Sequence, residues 1–449
     1  MIVTEDYDSR SSESQINPQG KGLLRREHAN MLSCVRCGLC LTSCPTYVLS
    51  GHEAESPRGR VAMARALVED KARLTPDLIE HEQNCLVCDA CTAVCPAGVD
   101  MDPIQVALRS AVEPHLRDRR SRRERALRWL AFRKIFADMR FFRLLVRALR
   151  LYQSSGLQWM ARRSGMLRLL GLAEAEALLP PDLPDGFVIP QGQRYPAGER
   201  SRGRAVSLFV GCITSTALAG IDWSTIRVCR RAGWTVSATG GQGCCGALNA
   251  HGGDLEGMKA MAKRNIEAFE KEGGVPVVVN SAGCGAMLKH YGYHFRDDPE
   301  WAERAQAFSA RVRDLVEIVR PQDLRFYRPL ELVVTYQDPC HLAHAQKIRR
   351  EPRELLRAIP GLELREMGES DLCCGSAGVY NLTNPKQARQ LRQRKLENAS
   401  LTGADVLVTA NPGCYIQLQA KNGGMRVKHI VELLDEATAP DDAQEKVRA

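Results

Sequence analysis

The sequence predicts an α/β protein with an α-helical amino-terminal half followed by two duplicated small parallel α/β repeats. Near the start, two four-cysteine runs of identical spacing are framed by helix-starting residues. Towards the end, short apolar strands alternate with helical stretches, and the pattern occurs twice. Between them lies the basic character of the chain. Residues 117–168 carry 16 Lys/Arg against Asp118, Glu124 and Asp138, so this segment is +13 where the whole protein is +9.

Residues 1–25 are polar and open with MIVTEDYDSRSSESQ, which has neither a basic start nor an apolar stretch for a signal peptide, so a disordered tail is expected there. Residues 26–112 hold Cys34, Cys37, Cys40 and Cys44 before Pro45, then Cys85, Cys88, Cys91 and Cys95 before Pro96. Each run is C-x2-C-x2-C-x3-C-P, the ligand run of a bacterial-type [4Fe–4S] ferredoxin. Three thiolates two residues apart curl around one face of a cubane, and the fourth leaves in another direction. In two-cluster ferredoxins that fourth cysteine ligates the other cluster. The expected sets are therefore Cys34, Cys37, Cys40 and Cys95 for the first cluster, and Cys85, Cys88, Cys91 and Cys44 for the second. A disulfide framework suits short secreted chains, and zinc usually takes two separated C-x2-C pairs, so both fit less well. Helices are expected from Pro57 to Asp70, after a Thr75 cap with Pro76 at the first position, and after Asp102 with Pro103 in the same roles. Arg58 and Arg60 are placed to raise a cluster potential, or to be solvated.

Residues 113–200 combine basic helices with a linker. Trp129, Phe132, Phe136, Met139, Leu145, Leu149 and Tyr152 recur at helical spacing. The stripe either packs on the protein with its arginines in water, or docks on an anionic membrane face or an acidic partner. No nucleic-acid motif accompanies the charge, so nucleic acid is not expected as a partner. Five prolines from Pro180 to Pro196 leave little room for regular structure. No apolar stretch of about 18 residues occurs, so no transmembrane helix is expected.

The repeats span residues 205–325 and 330–436. AVSLFV precedes Cys212, WTVSAT precedes Cys244 and Cys245, and PVVVN precedes Cys284. ELVVTY, LELREM and DVLVT stand in the same relation to Cys340, to Cys373 and Cys374, and to Cys414. Corresponding cysteines are 128 to 130 residues apart. Strands alternating with helices imply parallel sheets with right-handed crossovers, whose strand ends gather loops on one edge. Cys212, Cys244, Cys245 and Cys284 are thus one candidate site, and Cys340, Cys373, Cys374 and Cys414 a second. Four thiolates suit an iron–sulfur cluster or one zinc ion; buried cysteines also serve simply as small apolar residues. Cys229 falls outside both sets and reads as core. His341 and His344 flank Cys340, either serving its sulfur or satisfied by neighbours.

Gly243–Gly246 (GCCG) and Leu372–Gly378 (LCCGSAG), with the cysteines upstream, resemble the duplicated CCG domain of heterodisulfide reductases and of iron–sulfur subunits of 2-hydroxy-acid oxidases. Ser56–Arg60 (SPRGR), Asn280–Gly285 (NSAGCG), Asp338–Lys347 (DPCHLAHAQK) and Ala410–Cys414 (ANPGC) sharpen the likeness. From about residue 30 to 435 the order resembles the iron–sulfur subunit of bacterial glycolate oxidase.

That resemblance implies an electron-transfer subunit of a flavin-dependent complex oxidising glycolate to glyoxylate, or D-lactate. It implies further that FAD sits on partner subunits and that electrons pass towards a quinone. It implies a cytoplasmic chain, peripheral on the inner membrane, that is not catalytic alone. The one glycine-rich stretch after a strand run, Gly240, Gly241 and Gly243, runs straight into the cysteines, so its G-x-G-x-x-G string at Gly241–Gly246 belongs to the CCG loop and is not read as a dinucleotide fingerprint. One departure bears on the alternative, a heterodisulfide-reductase-like or quinone-reducing catalytic subunit. Those relatives close each repeat with C-x2-C, whereas Ser281 and Asn411 stand at the first position here.

Overall fold

The computed structural model describes residues 16–198, 203–420 and 424–440. The amino-terminal module is helical, as its caps dictate. Helix Pro57–Val68 starts where Ser56 Oγ accepts from Gly59 N at 3.0 Å, and helix Pro76–Gln83 starts where Thr75 accepts from Leu78 N at 3.2 Å. Their apolar faces meet helix Met101–Arg119 around Leu24, Met31, Leu67, Ile104 and Leu108.

Two expectations change in this module. The tail expected through residue 25 lies outside the described residues only up to 15. Helix Pro18–Arg26, capped by Asn17, buries Leu24 against helix Met101–Arg119. Asp102 is not a cap either. Asp100 holds that position without a side-chain bond, and Asp102 turns inside the first turn towards other partners.

The basic segment forms helix Arg122–Trp129, a π-helical turn at Leu130–Ile135 and helix Met139–Ser154, followed by shorter helices. The proline-rich stretch then contributes an unexpected edge strand, β1 (Gln193–Tyr195), antiparallel to β3 (Trp234–Ala238). The three residues fit between Pro190 and Pro196, and an edge strand tolerates neighbouring prolines.

The first repeat adds β2 (Arg204–Leu208), β4 (Val277–Val279) and β5 (Val312–Asp314), in the sheet order β1-β3-β2-β4-β5. The second has β6 (Leu332–Tyr336), β7 (Leu362–Arg365), β8 (Val406–Thr409) and β9 (Arg426–His429), in the order β7-β6-β8-β9. Apart from β1, both sheets are parallel with one topology, the duplicated α/β arrangement expected. A fourth parallel strand per repeat is additional. β5 and β9 are short and carry Arg313 or Lys428, so no apolar run announces them. Each runs into a helix through a capping box, Asp314 with Glu317 and His429 with Glu432. One apolar core containing Val206, Leu208, Val334, Tyr336, Val406 and Leu434 joins the two repeats.

Candidate functional site

The two ferredoxin-type runs share two left-handed backbone positions. Arg36 and Val87 occupy one motif position with φ of 58° and 49°, and Gly38 and Asp89 the next cysteine gap with 88° and 57°. Positive φ costs a β-branched valine appreciable strain, so curling of the run prevails over local preference. Cys44, Cys85, Cys88 and Cys91 then line a single cavity, walled also by Pro45, Arg60 and Met101. Cys34 and Cys95 each pack against the helical core, Cys40 stands half-buried near Cys34, and Cys37 is exposed.

The donor set fits an iron–sulfur group. Burial pushes the Cys85, Cys88 and Cys91 thiols up, and neighbouring thiols add to the shift. Ionised donors packed like this call for cationic charge among them. Some of it is built in. Arg60, 1% exposed, holds Nη1 at 3.9 Å from Cys44 Sγ, and Arg109 donates to Cys85 O at 2.6 Å. Arg58 by contrast pairs with Glu53 at the surface.

In the repeats every candidate cysteine follows a strand. Cys212, Cys244, Cys245 and Cys284 form a series of thiol contacts, Cys212 to Cys244 to Cys245 to Cys284. The second repeat repeats the series: Cys340 to Cys373 at 4.0 Å, Cys373 to Cys374, and Cys374 to Cys414 at 3.2 Å. Among the described residues no group of three or more His, Cys, Asp or Glu is arranged around a point for a single metal ion. The glycine after each cysteine pair has a steric reason. Gly246 and Gly375 have φ of 81° and 83°, and a Cβ would stand 2.9 Å from Met258 Cγ or 2.8 Å from Ala388 O. Asn411, in place of a fifth cysteine, donates to Cys414 Sγ at 3.4 Å and accepts from Gly283 N at 3.2 Å. Ser281 is buried. Cys229 is core, its thiol pushed up to about 12 by burial.

Family models match three parts of the chain: a 4Fe-4S dicluster domain over residues 30–99, the linker region of the glycolate oxidase iron-sulfur subunit over 123–179, and a cysteine-rich domain over 206–289 and 334–419. The probable glycolate oxidase iron-sulfur subunit of Bacillus subtilis is 38% identical, the match covering 92% of this chain and 95% of that one. The glycolate oxidase iron-sulfur subunit of Escherichia coli is 33% identical over 90% and 93%. The chain belongs to this family. Lactate utilization protein A of Shouchella clausii, 32% identical, matches 51% of the chain and 98% of its own length.

The chain also carries a polar junction that its sequence did not announce. Asp102 stands between two histidines of the first repeat, 3.3 Å from His251 Nε2 and 3.5 Å from His290 Nδ1. His341 joins from the second repeat, its ring stacked edge-on against His251 and its Nε2 2.7 Å from Val87 O. Burial pulls His341 down to about 4, so it is neutral. His344 is satisfied locally by Asp371 O and Arg349. Acidic and histidine side chains far apart in sequence give no local motif, which is why this junction was missed.

The junction makes stability pH-dependent. Burial opposes charge on both partners, but pairing outweighs it. Asp102 is held well below the usual carboxylate range and His290 is raised to about 9. A raised histidine contributes stability fully below its unfolded value of 6.5, and the contribution is lost as pH rises through about 9. A depressed carboxyl contributes above 3.8 and is lost as pH falls through its lower folded value. Thermal stability should therefore decline between pH 6.5 and 9 in the wild type, and His290→Gln should flatten that decline. An equal slope in both proteins would place the titration elsewhere.

Proposed function

We propose that this subunit relays electrons one at a time from flavin-bearing subunits of a glycolate oxidase complex towards a quinone. Two [4Fe–4S] clusters would be held by Cys34, Cys37, Cys40 and Cys95 and by Cys44, Cys85, Cys88 and Cys91. The convergence of Cys44 from the first run with Cys85, Cys88 and Cys91 of the second on one cavity carries the reading. Such clusters supply one-electron chemistry. The chain's own residues hold the thiolates, exclude water from the second site and place Arg60 against Cys44. Names of the relatives support glycolate as the substrate of the complex, and lactate as the neighbouring choice among 2-hydroxy acids. Anaerobically purified protein should contain about eight iron atoms from these two sites alone. Cys44→Ala should disturb the cluster of Cys85, Cys88 and Cys91; loss confined to the other cluster would refute the interleaved ligation.

The basic segment supports peripheral attachment to an anionic membrane face. Phe132 is buried beside Asn249 and Gly252, and Phe142 and Val146 lie in the first repeat's core with Phe136, Met139 and Leu149 packed against it, so most of the predicted stripe packs on the protein. Trp129, Phe141, Leu144, Leu151, Trp159 and Leu169 remain exposed, Trp159 by 63% and Leu169 by 88%. Apolar side chains interleaved with arginines suit an interface between headgroups and acyl chains. No helix is long and apolar enough to cross a membrane among the described residues. Trp159→Ser with Leu169→Ser should reduce sedimentation with anionic vesicles several-fold, and salt should weaken binding of the wild type. Equal binding to neutral vesicles, insensitive to salt, would argue against this face.

A further inference from the structure

The duplication permits a comparison within one chain. Helices Leu255–Glu270 and Pro385–Ser400 are both 16 residues long and follow the paired cysteines of their repeats. Aligned from their first residues, they place Asn265 opposite Lys395. Both side chains turn in to the cysteine loop and satisfy its backbone. Asn265 accepts from Gly243 N at 2.8 Å and donates to Cys244 O at 3.0 Å. Lys395 Nζ donates to Glu369 O at 2.5 Å and Ser370 O at 3.0 Å.

The first repeat places a neutral amide at this position, so a cation there is particular to the second. It is also costly. Lys395 is 1% exposed, and taking an ammonium out of water costs several kcal/mol unless negative charge faces it. Its ammonium donates to carbonyls rather than to a carboxylate; burial pulls its pKa below the usual lysine range, and the thiols of Cys374, Cys373 and Cys414 are the foremost groups working the other way.

A second observation distinguishes the repeats. Cys88 of the second ferredoxin-type run shares an apolar cluster with Cys373, with Cys340 packed against it. The contact is pinned by His341 Nε2 on Val87 O at 2.7 Å.

We propose that the two repeats are functionally unequal: the four-thiol site of the second exchanges electrons with the Cys44, Cys85, Cys88 and Cys91 site, and Lys395 is the positioning residue that sets its electron affinity. This rests on the electron-relay reading. One electron crosses at a time: the iron–sulfur group on the Cys88 side is oxidised by one and an iron–sulfur group on the Cys373 side is reduced by one, with no bond made or broken. A buried cation beside the acceptor stabilises the added negative charge, and the neutral Asn265 leaves its site the weaker acceptor.

The test is a redox titration of the full-length, anaerobically purified chain followed by electron paramagnetic resonance. Lys395→Asn should lower the midpoint of one iron–sulfur signal beyond the two ferredoxin signals. At a fixed potential its reduced-to-oxidised ratio should fall about tenfold, which is 59 mV for one electron. Lys395→Arg should restore it, and Asn265→Lys should leave that signal unmoved. If Lys395→Asn loses its fold, Lys395→Arg and Lys395→Met are titrated in its place, with only methionine expected to shift the signal. Iron limited to the two ferredoxin clusters, or a midpoint indifferent to the charge at residue 395, would overturn the proposal. The relay reading is judged separately, by whether substrate reduces the ferredoxin signals once flavoprotein subunits are added.

Discussion

Purified without partner subunits, the chain should be reducible by dithionite and leave glycolate untouched. Removing hydrogen from the α-carbon of a 2-hydroxy acid is a two-electron step that needs an acceptor such as flavin, whereas an iron–sulfur cubane normally takes one electron. The glycine-rich stretch after β3 leads into Cys244 and Cys245 and serves that turn, with Gly241 and Gly246 at φ of 82° and 81°. Adding flavoprotein subunits should restore glycolate-dependent reduction of the clusters. Cys88→Ser should then bring quinone-linked turnover to background while flavin reduction continues at its normal rate. Cys229→Ala removes a thiol outside both kinds of site and should leave turnover unchanged. Glycolate oxidation by the isolated, flavin-free chain would move the chemistry onto the repeats and end the relay reading.

Much of this arrangement is written locally and can be read from the sequence. Cysteine spacing, the caps at Ser56 and Thr75 and the apolar runs before Cys212, Cys340 and their counterparts are short-range signals, and the helical module and duplicated sheets follow from them. Elements set by tertiary contact were not legible. β5 and β9 carry charged residues and pair only because a strand already lies beside them. β1 forms within a proline-rich stretch because the edge of β3 is open to it. Asp102 looked like a helix cap by position, but the histidines that claim it come from elements about 150 and 190 residues further on. Lys395 had a signal that could have been found, since aligning the repeats sets it against Asn265. A lysine in a helix rich in Arg, Gln and Lys otherwise reads as solvated.

Arg60→Ala should be among the most destabilising single changes in the amino-terminal module. The guanidinium is buried and fully engaged: Nε donates to His81 O at 2.9 Å, and Nη1 to Thr46 Oγ1 at 2.9 Å and Glu55 O at 2.7 Å, while Nη2 pairs with the Glu55 carboxylate. Burial works against its charge, but the thiols of Cys85 and Cys44 and the carboxyls of Glu82 and Glu55 outweigh burial and hold it charged. Truncation leaves buried Glu55 with only His81 Nδ1 at 2.8 Å and Asn84 Nδ2 at 2.9 Å on its carboxylate, a loss towards the lower end of about 3–5 kcal/mol. Arg60→Lys keeps the charge but not the planar fork, so it should recover only part of the stability. A separate reading comes from the cluster. Nη1 lies 3.9 Å from Cys44 Sγ, so removing the cation should lower the potential of the cluster at Cys44, Cys85, Cys88 and Cys91 while the other stays in place. Arg60→Lys should keep most of that potential. Thermal melts and a redox titration of the three proteins separate the two roles: stability follows the hydrogen-bonded fork, and potential follows the charge. A potential that falls equally in Arg60→Lys and Arg60→Ala would mean that the fork orients the Cys44 loop and that the charge itself contributes little.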